Sequence, residues 1–149
     1  MRALPLMLLG LLLAGCGSPA TPEGLPPLAE RLRSDGEAVL ADMADSFGGQ
    51  GQEVEQDASQ DQECESDGVK RVFRASGEAT SGGDPELGLV ETTLVGWFRE
   101  RGYEIERFPT NDTGARRYVF GKERLEFAAS VESGSATAYE IEGQTPCLR

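Results

Sequence analysis

The cysteines and the missing histidines set the limits of the chemistry open to this chain. The sequence holds three cysteines, Cys16, Cys64 and Cys147, and no histidine among its 149 residues. A Ser-His-Asp triad, a Cys-His dyad and a histidine-ligated zinc ion are therefore excluded. The glycine pairs Gly48-Gly49 and Gly82-Gly83 lack the lysine and the serine or threonine of a phosphate-binding loop. We predict no catalytic residue, no metal ligand and no cofactor.

Carboxylates are the remaining reactive groups, because the chain has 26 aspartates and glutamates. The spacing Asp57-x-Ser59-x-Asp61 invites comparison with a calcium loop. Gln62 stands where an EF-hand needs glycine, and Gly68 stands where it needs a bidentate glutamate. We interpret residues 50–68 as a solvated acidic loop, with a short strand over 52–58 and a weak cation site left open. A carboxylate pair for hydrolysis is not recognisable in one sequence, so a carboxylate-dependent hydrolase stays an alternative.

The N-terminus has the layout of a secretory signal: Arg2 is followed by an apolar segment from Leu4 to Leu13. With Ala14-Gly15-Cys16, this segment resembles the lipobox of bacterial lipoproteins. The resemblance implies that Cys16 carries the lipid, that residues 1–15 are removed, and that the protein is anchored at the extracytoplasmic face of the cell membrane. A plain signal peptide and a membrane anchor are the alternatives. The apolar segment is shorter than the roughly 20 residues that span a bilayer.

The net charge of the chain limits the classes of partner that it can bind. A formal net charge of −12 repels phosphates and anionic headgroups, so we expect no nucleic-acid binding and no help from a polybasic patch at the membrane. The acyl chains of the lipidated cysteine would therefore hold the protein at the membrane. We interpret the charge first as a device for solubility outside the cell, and second as an acidic surface for a basic partner.

If Cys16 carries lipid, Cys64 and Cys147 are left as a pair in an exported protein. Outside the reducing cytosol the default for such a pair is a disulfide. The closed loop would contain most of the domain, for which the chain-entropy estimate is about 4–5 kcal/mol. The absence of a CxxC motif argues against a redox or metal site.

Residues 16–27 form a Pro/Gly-rich tether, and residues 28–149 form one domain that begins with a helix. The apolar positions of this helix run from Leu28 to Phe47, and Gly48-Gly49 ends it. Asp84-Pro85 predicts the start of a second helix, which Gly102 closes. Trp97 and Phe98 continue the apolar face of the second helix, so we expect core packing and not an aromatic binding patch.

Period-two alternation predicts five strands: one over Val69–Ala79 and four between residues 103 and 141. Turns are expected at residues 111–114, at Gly121-Lys122 and at residues 133–135. A bridge between Cys64 and Cys147 would place the first strand beside the last, which gives the spatial order 2-3-4-5-1, with strands 1 and 2 at opposite edges. The predicted fold is a two-layer α+β sandwich, with an antiparallel sheet of about five strands covered on one face by two helices.

Arg116-Arg117 is the one basic cluster near aromatic side chains. We expect these arginines to pair across strands with Glu104, Glu106 or Glu126. Anion capture on the exposed sheet face is the functional alternative.

The ending Gly143-Gln144-Thr145-Pro146-Cys147 resembles the C-terminal ends of small actinobacterial lipoproteins, whose functions are mostly uncharacterised. This resemblance implies a compartment and a fold type and nothing about a ligand. Because the residues offer no recognisable catalytic motif, we expect a non-enzymatic, lipid-anchored module that binds an envelope protein or another envelope component. A carrier of a small apolar or lipidic ligand is the alternative from a different class.

Overall fold

A computed structural model of the chain describes residues 21–49, 51–65, 67–80, 86–107, 115–134 and 136–149. The predicted signal and Cys16 lie outside these residues. Within them the chain forms the predicted two-layer α+β sandwich, in which helices cover one face of an antiparallel sheet. None of the described helices is both long and apolar enough to cross a membrane.

The elements follow the chain in this order: α1 (Leu25–Phe47), β1 (Glu53–Asp57), β2 (Gln62–Glu63), β3 (Val69–Lys70), β4 (Val72–Ala79), α2 (Leu87–Glu100), β5 (Glu104–Arg107), β6 (Ala115–Lys122), β7 (Leu125–Ser133) and β8 (Thr137–Gln144). The main sheet has six strands in the spatial order β1-β4-β8-β7-β6-β5, and all neighbours are antiparallel. β2 and β3 form a separate two-stranded ribbon.

The predicted strand order is confirmed, because β4, β5, β6, β7 and β8 are the five predicted strands and lie in the order expected. The sheet has one strand more than expected. Residues 52–58, left open between strand and loop, contain the strand β1, which pairs with β4. The prediction that the first strand lies at the sheet edge was therefore wrong. The turn expected at Gly121-Lys122 lies instead at Glu123-Arg124.

The strand predicted from Val69 to Ala79 is broken at Arg71, where the chain passes from the ribbon into the sheet. The backbone N–H of Arg71 donates to Thr145 Oγ1 at 2.9 Å, and the Thr145 N–H donates to the Arg71 carbonyl at 3.0 Å. The predicted disulfide is confirmed: Cys64 and Cys147 are bonded, with their Cα atoms 6.2 Å apart. The bridge ties the ribbon to the segment that follows β8.

Both helices begin at different residues from those predicted. α1 begins at Leu25, three residues before the expected Leu28, because the prolines that follow Leu25 fit the first turn of a helix. α2 begins at Leu87 with Glu86 as its N-cap, and Asp84-Pro85 lies outside the described residues. The ends agree with prediction, since Gly48 and Gly102 both have positive φ.

The core between the helices and the sheet is filled by aromatic and aliphatic side chains. The Phe98 ring of α2 stacks on Phe120 at 4.5 Å and lies 5.1 Å from Phe127. α1 lies close to β4 at Gly36, where an added Cβ would stand 2.5 Å from the Phe73 ring. A glycine inside this helix, which lowers helix propensity, is therefore explained by packing.

Candidate interaction surface

Among the described residues, one face of the sheet has no covering layer, and we call it the open face. Along β8 the burial alternates: Tyr139 and Ile141 are buried under the helices, while Glu140 and Glu142 point to the other side. Pairing carries this alternation across the sheet, because directly paired residues share a face. The described positions of the open face, taken from the pairing, include Gln56, Arg74, Ser76, Glu78, Glu104, Arg107, Arg117, Val119, Glu126, Ala128, Ser130, Glu132, Ala138, Glu140, Glu142 and Gln144.

Glutamates outnumber arginines on the open face. The edge strands add Glu55, whose carboxylate accepts from Ser76 at 3.4 Å, and Glu106, whose side chain lies over Gly121. Among the described residues, Glu142 is the one glutamate of this face with an ion pair, at 2.7 Å from Arg74. The hydrogen bond from Arg74 to Glu142 raises the arginine's pKa above its ordinary value. The other glutamates leave negative charge facing solvent.

An acidic depression lies on the open face at the end farthest from the disulfide. Ala138 forms its floor, and the pairing places Glu78 on one side of Ala138 and Glu132 on the other. Glu140 lies two residues along β8, and the space between these side chains is about 300 Å³. Because neighbouring strands are about 4.8 Å apart, the three glutamates stand close together around a small floor.

The opposite end of the domain holds the acidic loop, the ribbon and the disulfide. Asp57 accepts hydrogen bonds from the hydroxyl and the backbone N–H of Ser59, and these bonds hold its pKa below the ordinary value. Asp61 accepts from Thr21 at 2.8 Å and pairs with Arg71 at 2.5 Å, and these contacts also lower its pKa.

The predicted Asp57-Ser59-Asp61 spacing does not form a metal site in the described part of the chain. No group of three or more aspartates, glutamates or cysteines is arranged there to hold a metal ion. The carboxylates of Asp57 and Asp61 face different protein donors, so the loop is organised by internal hydrogen bonds. These contacts also attach Thr21, the first described residue, to the domain.

A buried carboxylate lies under the helix-covered side of the sheet. Glu91 of α2, 7% exposed, pairs with Arg116 at 2.5 Å and accepts a hydrogen bond from the Tyr118 hydroxyl. Burial and this bond raise the pKa of Tyr118 to about 12. Glu91 is the buried carboxylate among the described residues.

The predicted partners of Arg116 were wrong. We expected cross-strand pairing with Glu104, Glu106 or Glu126, but those glutamates belong to the open face and Arg116 points to the helices. Its neighbour Arg117 faces the open side, so the two arginines do not act as one cluster. Glu91 carried a signal that sequence reasoning missed, since a glutamate interrupts the apolar face of α2.

Trp97 and Phe98 behave as predicted. Phe98 is fully buried, and Trp97 packs against the core while partly exposed. Both aromatic residues therefore belong to the core or pack against it.

The predicted site residues fall into two groups. Cys16 lies outside the described residues, and its lipidation stays a prediction. Cys64 and Cys147 are joined to each other, and so they have a structural role. The open face, which sequence reasoning gave only as an exposed sheet face, is the candidate surface that the structure adds. Comparison of the chain with protein-family models, with curated proteins and with solved structures found no match.

Proposed function

We propose that this protein is a non-enzymatic lipoprotein of the cell envelope, anchored by lipid on Cys16, whose domain binds another envelope component through the open face of its sheet. The observation that supports this most is the contrast between a filled core and an uncovered face. A sheet in a two-layer fold has only one face to bury internally. The other is left available to a partner.

The filled core favours this function over carriage of an apolar ligand. A carrier needs an apolar cavity of several hundred Å³. Here the centre of the Phe98 ring lies 4.5 Å from that of Phe120 and 5.1 Å from that of Phe127. The Tyr103 ring packs against the same cluster, with its centre 5.4 Å from that of Phe127. The space that a ligand would occupy between α2 and the sheet is taken by side chains.

The attachment at Thr21 supports a position of the domain close to the membrane. Thr21 lies five positions after Cys16, and an extended chain reaches about 3.3–3.6 Å per residue. The disulfide end would thus lie within roughly 20 Å of the lipid. The strands extend away from that end, which would leave the open face accessible from the side.

The anchor is tested by replacing the lipidated residue. Cys16→Ser should move the protein from the membrane fraction to the soluble fraction, and mass spectrometry of the wild type should show an acylated N-terminal cysteine. Membrane retention of Cys16→Ser with unchanged acylation would contradict the lipoprotein assignment.

The binding surface is tested by a steric block that does not depend on charge. Ala138 is exposed on the open face, and Ser34 is exposed on α1. Crosslinking in intact cells should recover a partner with wild type and with Ser34→Trp, and lose it with Ala138→Trp. If Ala138→Trp retains the same partner at the same yield, the open face is not the binding surface.

A further inference from the structure

The charge pattern of the open face points to the chemistry of its partner. We infer that the open face binds a cationic protein segment, one that presents arginine or lysine side chains, and that the acidic depression around Ala138 receives one of them. This inference rests on the proposed function and goes beyond it by naming the partner's chemistry.

The distribution of charge on the two sides of the molecule supports this choice. On the helix side, three arginines pair with carboxylates, namely Arg31 with Glu123, Arg101 with Asp42 and Arg116 with Glu91, while exposed carboxylates of α1 such as Glu37 have no ion pair among the described residues. On the open face, Glu78, Glu132 and Glu140 have no ion pair within the described part of the chain. The open face therefore brings glutamates without ion pairs close together on three adjacent strands, β4, β8 and β7.

The geometry of the depression fits a long, charged side chain. Its floor is small and its three surrounding groups are glutamates on adjacent strands, so a guanidinium or ammonium group above Ala138 would meet carboxylates from β4, β7 and β8. Ser76 and Ser130 flank Glu140 by pairing and add hydroxyl groups beside the carboxylates. Glutamates continue across the sheet to Glu126 and Glu104, which suits a segment carrying several cations.

Other partners fit this face less well. An anionic membrane surface or a nucleic acid would be repelled by the glutamates. A bare metal ion lacks a suitable group of ligands among the described residues. An extended basic segment satisfies both the sign of the charge and its spread over several strands.

The test is a binding titration with a defined probe and matched variants. The mature protein, as purified from cells, is titrated with a labelled arginine peptide of about eight residues, roughly one strand in length, at about 0.15 M salt. The open-face variant carries Glu78→Gln, Glu132→Gln and Glu140→Gln. The control variant carries Glu30→Gln, Glu37→Gln and Asp45→Asn, which change the net charge equally on the exposed surface of α1.

We expect the open-face variant to bind the peptide about tenfold more weakly, and the control variant to stay within about twofold of wild type. An equal loss in both variants would overturn the inference, because the attraction would then be one of net charge. Absence of measurable peptide binding by wild type would also overturn it, as would tighter binding to vesicles containing phosphatidylglycerol than to the peptide.

The failure of this inference is distinguishable from failure of the proposed function. If Ala138→Trp abolishes crosslinking in cells while the open-face glutamine variant retains the partner, the surface is correct and its partner is not recognised through charge. If neither change affects crosslinking, both proposals fail. Loss with both changes supports both.

Discussion

The two faces of the sheet use the same strands for opposite purposes. On the covered face, Phe73, Phe127 and Ile141 are fully buried, and glycine at Gly36 lets α1 approach closely. On the open face the alternate positions are mostly glutamates and small residues, together with Arg74, Arg107 and Arg117. A strand that alternates apolar with acidic residues thus carries both a folding surface and a solvated surface. The comparison separates residues that determine stability from residues that are free to serve recognition.

The largest expected effect comes from emptying the covered face. Phe98→Ala removes the ring that contacts Phe120, Phe127 and Tyr103, and we expect it to lower the free energy of unfolding by about 3–5 kcal/mol. Leu89→Ala on the same helix is the matched control, because Leu89 is 56% exposed and its loss should cost about 0.5 kcal/mol or less. Denaturant titration measures both. Similar values for the two variants would contradict the assignment of the core.

A smaller effect is expected from adding one carbon on the covered face. Gly36→Ala places a methyl group 2.5 Å from the Phe73 ring, and overpacking of this kind costs about 1–3 kcal/mol. Gly96→Ala in α2 has no atom within 4 Å of the new carbon, so higher helix propensity should raise stability by up to about 1 kcal/mol. The two substitutions are thus expected to change the free energy of unfolding in opposite directions. If Gly36→Ala is stabilising, the close packing of α1 on β4 is contradicted.

The three tyrosines of the chain should make the stability of the fold depend on pH. Burial is the largest cause of a raised pKa at Tyr103, Tyr118 and Tyr139, and hydrogen bonds to Asp35 and Glu91 add to it at the first two. A raised pKa in the folded state favours the neutral form. Its stabilising contribution is therefore present below about pH 10, the unfolded value, and is lost as pH rises through the folded values.

The measurement is an ultraviolet titration of tyrosinate with circular dichroism recorded in parallel. We expect little ionisation at pH 10, with ionisation and loss of the folded signal at higher pH. If a tyrosine ionises near pH 10 in the intact fold, its assignment as a buried side chain would be contradicted.

The smallest expected effect on stability comes from the open face. The variant that carries Glu78→Gln, Glu132→Gln and Glu140→Gln should unfold within about 0.5 kcal/mol of wild type, because these side chains have no ion pair in the described part of the chain and lie at the surface. A loss of several kcal/mol would mean that the glutamates serve the fold, and the separation of the two faces would fail.

The order of the strands could be predicted from the sequence, whereas the partners of individual charged side chains could not. Period-two alternation and the pairing of Cys64 with Cys147 were enough to order five strands, because both follow from local chemistry and one covalent constraint. β1 was left open because only Val54 offers an apolar signal, and pairing with β4 decides its conformation. Ion pairs such as that between Arg116 and Glu91 depend on which face of a strand points toward a helix. The spacing of residues along the chain does not contain that information.

The start of α1 shows the same limit. Leu25 lies among prolines and glycines that are typical of a tether, yet it is fully buried and begins the helix. A hydrogen bond from Thr21 to Asp61 holds this segment against the disulfide end, and a Cβ added at Gly24 would lie 3.6 Å from Leu148. These contacts join residues far apart in the sequence, so local composition alone predicts a longer linker than the one the fold leaves.

The most direct test of the central claim is photo-crosslinking from single positions in living cells. A photoreactive amino acid at Ser130, on the open face, is compared with the same amino acid at Ser34, on α1. We predict that Ser130 yields a discrete crosslinked protein, that Ala138→Trp removes it, and that Ser34 yields none. A partner captured from Ser34 and not from Ser130 would contradict the assignment of the open face as the binding surface.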